Sequence, residues 1–200
     1  MPYVVAIIIS YFLGCSNMAL YIGKAKGIDL RAGGSGNLGT CNALMLMGWK
    51  NAVLVCVHDI GKAVLSVLLS KWLFPDAPLI GYVAGVACVI GHIFPFYLKF
   101  KGGKGFASFL GMALALNWRF GIALLLTVGL LMLITDYIVT GTVATVVAYP
   151  LYIGILTADW RPVLILCIAA AAILIKHRGN CMRIWNGTEP RVRKVVDKKG

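Results

Sequence analysis

Charge is scarce in this chain. Only 13% of its 200 residues are Asp, Glu, Lys or Arg, against about 25% in an ordinary globular protein. Acidic residues are scarcer still, seven against nineteen basic ones. Such a chain cannot cover an ordinary soluble domain with polar surface. No CxxC pair occurs, and the three His are not spaced with the six Cys as a zinc site requires. The cysteines, at 15, 41, 56, 88, 167 and 181, lie mostly in apolar runs, where cysteine behaves as a small hydrophobe. Neither a disulfide nor a metal cluster is expected. Internal repeats and low-complexity segments are also missing.

What fills the chain is apolar: 60% of the residues, with a mean hydropathy of +0.87. These residues fall in long runs, which predicts an all-α integral membrane protein. The formal net charge is +12, but the cations sit between and after the apolar runs. That pattern is the positive-inside bias, with a capacity to attract anionic headgroups or substrates, and not a nucleic-acid surface.

The runs predict spans near 3–23, 51–73, 79–98, 106–134, 138–157 and 162–176. The fourth would make a helix of about 43 Å at 1.5 Å per residue, too long for a hydrocarbon core of about 30 Å. Asn117-Trp118-Arg119 lies near its middle. Charge settles how to divide it. Loops 24–50 and 99–105 and the tail after 176 carry most of the Lys and Arg, so all three belong on the cytoplasmic side. With 106–134 as one span, the basic tail would finish outside; division at 117–119 returns it inside. The prediction is seven transmembrane helices, two of them short, with the N-terminus out and the C-terminus in, forming one domain over residues 1–200. The first run has no basic residue before it and Lys24 and Lys26 after it, as in an uncleaved first span.

Three polar segments then share one face. GGSGNLGTCN, residues 33–42, places glycines at 33, 34, 36 and 39. They permit positive φ, and successive N–H groups turned one way form an anion-binding nest. Ser35, Asn37, Thr40 and Asn42 add side-chain donors, and a helix from about Ala43 would aim its positive end at the same spot. The second segment, GHIFPFYLKFKGGKGFAS, sets two glycines between Lys101 and Lys104 just before a helix expected from Phe106. His92 lies just inside that membrane end, a candidate for acid–base work. The third, KHRGNCMRIWNGTEPRV, clusters His177, Arg178, Asn180 and Arg183 where the last span exits. Each also has a plain reading, as a flexible loop, anchoring lysines or a basic tail. Within the membrane, Asp59 and Lys62 sit at i, i+3 and can neutralise each other beside His58. Thr140 and Thr142 open the sixth span, as caps or as a hydroxyl within reach of an anion.

Together the segments resemble the bacterial membrane acyl-phosphate:glycerol-3-phosphate acyltransferases, the PlsY family. That family carries a GSGNPGATN-type loop, a GHxFPxFxxFKGGKG segment and an HRxNxxR…NGTEP segment. Here they read GSGNLGTCN, GHIFPFYLKFKGGKG and HRGNCMRIWNGTEP, in the same order. The resemblance implies transfer of a fatty acyl group from acyl phosphate to the 1-hydroxyl of glycerol 3-phosphate, giving lysophosphatidic acid and phosphate, with no coenzyme A, metal or other cofactor. It implies a multi-pass protein of the bacterial cytoplasmic (inner) membrane with its active site on the cytoplasmic face. Its partners would be the two substrates, membrane lipid and the enzyme that makes acyl phosphate. By motif match, Ser35, Gly36, Asn37, Gly39, Thr40 and Asn42 cradle the donor phosphate. Lys104, Thr142, His177 and Asn180 bind the acceptor, and Ser35, His92, Lys104 and His177 are the catalytic candidates.

Four positions depart from the family pattern: Leu38 for Pro, Met45 for Arg, Gly179 for Glu, and Ala63 for Gly after Asp59-x-x-Lys62. Leu38 predicts a less rigid loop, and Met45 weaker binding of glycerol phosphate, with Lys50 on the same side to compensate. The alternatives are a diverged paralogue with another acceptor, a transporter of an anionic phosphorylated solute, and a non-catalytic partner of lipid-synthesis enzymes.

Overall fold

A computed structural model describes residues 1–197, and all regular elements among them are helical. In chain order they are α1 (Pro2–Cys15), α2 (Met18–Ala25), α3 (Thr40–Met47), α4 (Trp49–Leu73) and α5 (Ile80–Ile93), followed by a 3₁₀ turn at Phe96–Leu98. Then come α6 (Phe106–Leu116), α7 (Trp118–Thr135), α8 (Ile138–Thr157), α9 (Trp160–Trp185) and α10 (Val192–Asp197). Six segments among the described residues are long and apolar enough to cross a membrane, counting Pro2–Ala25 as one; α6 is apolar but shorter. All five Trp are exposed, and each lies within two residues of the end of α4, α7 or α9, where an amphipathic ring suits the membrane–water interface.

The long run 106–134 divides at the expected place. Asn117 is extended, and its side-chain oxygen accepts the Phe120 N–H at 3.2 Å, capping α7. The first run, expected as one helix, is instead broken at Ser16–Asn17. Asn17 caps α2 by accepting the Leu20 N–H at 2.9 Å. The carbonyls freed by the break find donors inside the bundle: Tyr97 Oη donates to Cys15 O and Lys62 Nζ to Ser16 O, each at 2.7 Å. A break in a bilayer needs such partners.

Two boundaries shift. The helix expected from Ala43 begins at Thr40. The last span, expected to end near 176, runs on to Trp185, so His177, Asn180 and Arg183 project from a helix and not from a tail. It stops where Gly187 takes φ 69°, a conformation that favours glycine past a helix end.

Glycine lets the helix backbones meet. A Cβ at Gly14 would fall 2.1 Å from Cys88 O, one at Gly91 would fall 2.2 Å from Tyr11 O, and one at Gly111 would fall 2.3 Å from Ile60 O. These contacts seat α1 on α5 and α6 on α4, the small-residue packing that membrane helices use. Beyond them, Val89, Phe109, Val146, Tyr149, Leu166 and Ile173 form a fully buried core.

The bundle has two chemically distinct ends. At one, Tyr11 Oη donates to Phe94 O, and Val192 N–H donates to Asp136 O, tying the stretch after α9 to the α7–α8 turn. Arg193 adds its N–H to the Asp136 carboxylate and its guanidinium to Leu133 O. At the other end, Gly81 packs by Leu116 and Lys71, and Asn117 donates to Tyr152 Oη. Tyr3 lies in the field of Arg161 there, so the start of α1 and residue 192 stand at opposite ends.

Replacing Gly111 by Val should lower the unfolding temperature in detergent by the equivalent of about 1–3 kcal/mol, the usual range for overpacking. Gly61→Ala, where a Cβ meets nothing within 4 Å, should leave it nearly unchanged. Equal shifts in the two variants would show that the α4–α6 contact is not close.

Candidate active site

The loop before α3 is organised from within. Asn42 is fully buried; its side-chain oxygen accepts the Ser35 N–H at 2.8 Å, and its amide donates to Leu30 O at 2.7 Å and Gly33 O at 3.3 Å. Of the donors expected to face a ligand, Asn42 therefore serves the loop itself. Ser35 and Gly36 are exposed, and Asn37, Gly39 and Thr40 are half-buried. Positive φ occurs at Gly34 and Gly36, but Gly39 is extended and stands as the N-cap of α3 with no side-chain cap. The first N–H groups of α3 are thus left open. Leu38 does not loosen the loop: it is buried in a cluster with Ala19, Leu30 and Val55, and its carbonyl accepts Asn17 Nδ2 at 3.2 Å.

The KGGKG segment folds back on the end of α5. Gly102 N–H donates to Ile93 O and Gly103 N–H to His92 O, both at 3.1 Å. Neither glycine has positive φ; both are needed for clearance. A Cβ at Gly102 would lie 2.2 Å from His92 O, and one at Gly103 would lie 2.0 Å from His92 Nε2. Gly105, at φ 86°, is the N-cap of α6 and likewise leaves its first turn without a side-chain cap. Lys104 therefore stands beside a second helix N-terminus with open donors.

The turn after α9 delivers the only glutamate. Thr188 N–H and Glu189 N–H both return to Arg183 O, at 2.8 and 3.1 Å. This brings Glu189 back along the helix, where its carboxylate accepts Asn180 Nδ2 at 2.6 Å and Arg183 Nε at 2.7 Å. With its amide so fixed, Asn180 turns its oxygen to Lys104 Nζ, which donates to it. His177 Nδ1 donates to Ile173 O at 2.8 Å, leaving Nε2 as an acceptor, and the ring is in the field of Lys104 and Glu189. Cys41, in the first turn of α3, feels the same two charges. The starts of α3 and α6 and the last turns of α9 thus converge around Lys104.

Two predicted site residues are engaged within the fold. His92 is buried behind the KGGKG loop: Lys62 Nζ donates to its Nδ1 at 2.8 Å, and Asp59 Oδ1 lies 3.4 Å from the same nitrogen. Its hydrogen bonds do not join Lys104 or Asn180. Thr142 is fully buried and donates to Ile138 O one turn back, at 3.2 Å. Met45 is half-buried on α3, and Lys50 is exposed with its ammonium over the Trp49 ring. Asn17 and Glu189 escaped the sequence reading. Glu189 had a signal, as the one glutamate in the chain; Asn17, a single amide in an apolar run, marked a helix break that hydropathy smooths over.

The model of the family described as glycerol-3-phosphate acyltransferase matches residues 4–187. The chain belongs to that family. It is 35% identical over 196 residues to a glycerol-3-phosphate acyltransferase of Coxiella burnetii (strain Dugway 5J108-111), a match covering 96% of this chain and 100% of that one. To that of Prochlorococcus marinus (strain MIT 9211) it is 34% identical over 195 residues, covering 94% and 93%. Its fold matches the crystal structure of PlsY, an integral membrane glycerol 3-phosphate acyltransferase. Against the glycerol 3-phosphate form the TM-score is 0.89, at 29% identity over 96% of each chain. The lysophosphatidic acid form gives 0.87 at 27% identity over 98% and 99%. For this member of the glycerol-3-phosphate acyltransferase family, the match spans all three converging segments.

Burial pushes the Lys104 ammonium below the ordinary lysine value, while Cys41 and Glu189 pull it up and Arg183 pushes it further down. A cation is lost as pH rises through its pKa, so inorganic phosphate binding should decline at a pH below the usual lysine titration near 10.4. Glu189→Gln removes one upward pull, and the decline should move to lower pH. A midpoint unchanged by Glu189→Gln would show that Lys104 does not govern the decline.

Proposed function

We infer that the chain is a glycerol-3-phosphate O-acyltransferase that takes its acyl group from acyl phosphate. The carrying observation is the convergence of two open helix N-termini on Lys104, itself held by Asn180, whose amide Glu189 orients. Both substrates present phosphate, and a cation beside unpaired N–H groups suits a phosphate dianion. The loop with Ser35, Gly36, Asn37, Gly39 and Thr40 holds the donor phosphate, with Asn42 bracing it. Lys104, Asn180 and His177 hold the acceptor.

An acyl phosphate is a mixed anhydride with a good leaving group, so no acyl-enzyme is required. The acceptor hydroxyl attacks the carbonyl carbon, a C–O ester bond forms and the carbonyl carbon–phosphate oxygen bond breaks. The hydroxyl proton passes to the departing phosphate, directly or through His177 Nε2. The products are lysophosphatidic acid and inorganic phosphate, the first acyl transfer of phospholipid synthesis. Holding two substrates in contact converts a bimolecular step into an intramolecular one. Open N–H groups aimed at the developing oxyanion and leaving phosphate contribute on the order of 10²-fold or more each. Ser35 serves here as a phosphate donor and not as a nucleophile.

The placement of charge supports a single catalytic unit crossing the bilayer seven times, α6 included, with the N-terminus out and the C-terminus in. The cationic end then faces the cytoplasm across a bacterial inner membrane, where the acceptor and the enzyme making acyl phosphate are at hand. Met45 favours a second reading, a related acyltransferase with a different acceptor, since it puts a thioether where the family pattern has a guanidinium.

Purified protein given acyl phosphate and glycerol 3-phosphate should release phosphate only with both present, and Lys104→Ala should lose at least about 10²-fold in kcat/KM. Solute flux into vesicles without phosphate release would instead establish transport. Met45→Arg should lower the KM for glycerol 3-phosphate about tenfold, the worth of one charge-assisted bond; an unmoved KM would assign the site to another acceptor.

A further inference from the structure

Asp59 and Lys62 are both buried in α4. A buried ion pair is weak evidence for stability, since well-packed apolar residues often serve as well. This pair does more than neutralise itself. Lys62 Nζ donates to Ser16 O at 2.7 Å, to His92 Nδ1 at 2.8 Å and to Asp59 Oδ1 at 2.9 Å. All three ammonium hydrogens are therefore used, and they point to three different parts of the chain.

Two of these arms lead to substrate loops. Through Ser16 the first arm reaches Asn17, whose amide donates to Leu38 O at 3.2 Å, between Asn37 and Gly39 of the donor loop. Through His92 the second reaches Gly103, which is bonded to the His92 carbonyl and packed so closely on its ring that no side chain fits between them. Gly103 immediately precedes Lys104. Asp59 holds Lys62 in its rotamer, and His58 braces both ends: its Nε2 lies 2.9 Å from Ser16 Oγ and its Nδ1 lies 3.4 Å from Asp59 Oδ1.

We propose that Asp59 and Lys62 are positioning residues for acyl transfer: from inside the membrane they set the spacing between the donor loop at Leu38 and the acceptor cation Lys104. The proposal rests on the reading that these two loops hold the two substrates. Transfer between two bound molecules depends steeply on their relative placement, so that a misplacement of about 1 Å costs on the order of 10²-fold. Each loop keeps its own internal bonds, Asn42 in one and Gly102 and Gly103 in the other. Loss of the hub should therefore spare binding and impair turnover.

The test uses the full chain in detergent, with acyl phosphate and glycerol 3-phosphate as substrates. The double variant Asp59→Asn with Lys62→Met preserves charge balance and approximate volume but removes the three-way ammonium. It should remain monodisperse, with kcat reduced about tenfold to a hundredfold while the KM for each substrate stays within about threefold. A kcat loss below about fivefold, or a loss carried by KM instead, overturns the proposal and leaves the pair a charge balance only. If the double variant does not fold, Asn17→Ser replaces it: serine keeps a cap for α2 but cannot reach Leu38. The same split is expected, and an unchanged kcat in folded Asn17→Ser overturns the proposal. Wild-type protein that releases no phosphate would refute the functional reading, an outcome distinct from all of these.

Discussion

A polypeptide in hydrocarbon must satisfy its backbone polar groups from within, and the rest of this structure follows from where the chain obeys that constraint and where it is released from it. Two breaks in the apolar runs are matched. The break after Cys15 is answered by Tyr97 and Lys62, and the break at Asn117 by that residue's own side chain. At the cationic end the matching stops. α3 and α6 begin at glycine and have no side-chain cap. Their unpaired N–H groups are the fixed positive ends of two dipoles; Lys104 stands beside one, and its charge reaches Cys41 in the first turn of the other.

A site this rich in positive charge needs something to hold it together when empty. Glu189 fills that role, bridging Asn180 and Arg183 from a turn that Gly187 makes sharp enough to bring it back. The carboxylate does not contact Lys104 directly; it orients the Asn180 amide that does. The chain has nineteen Lys and Arg, and those among the described residues are spread over loops and helices alike, so charge count alone says little about the site. What distinguishes Lys104 is that it is half-buried, held by Asn180 and set beside an open helix N-terminus.

The fold was legible in the sequence because hydropathy and charge are coarse signals that membranes enforce. The division at Asn117 could be foreseen from length and from the side on which the basic tail must lie. The break at Ser16–Asn17 could not, since it rests on donors from α4 and from the turn after α5, brought close only by folding. Of the site, the loops were legible through their glycines, but the reasons were partly different. Gly34 and Gly36 need positive φ, whereas Gly102 and Gly103 need the absence of a Cβ beside His92. Asn42 and His92 show the general difficulty: composition marks a residue as polar and near a site, and only coordinates show whether it turns towards a ligand or braces the wall behind it. Leu38 teaches the converse, since stiffness lost with a proline is recovered by burial and one hydrogen bond from Asn17.

The shortness of α6 bears on substrate traffic. Its eleven residues extend about 17 Å at 1.5 Å per residue, yet they lead from Lys104 to the opposite end of the bundle, in a hydrocarbon layer about 30 Å deep. The helix therefore covers only about half of that depth, with Lys104 two residues before its first turn. A cation at the start of so short a span is one that an amphiphile can meet from the side, with its chain still in the hydrocarbon layer.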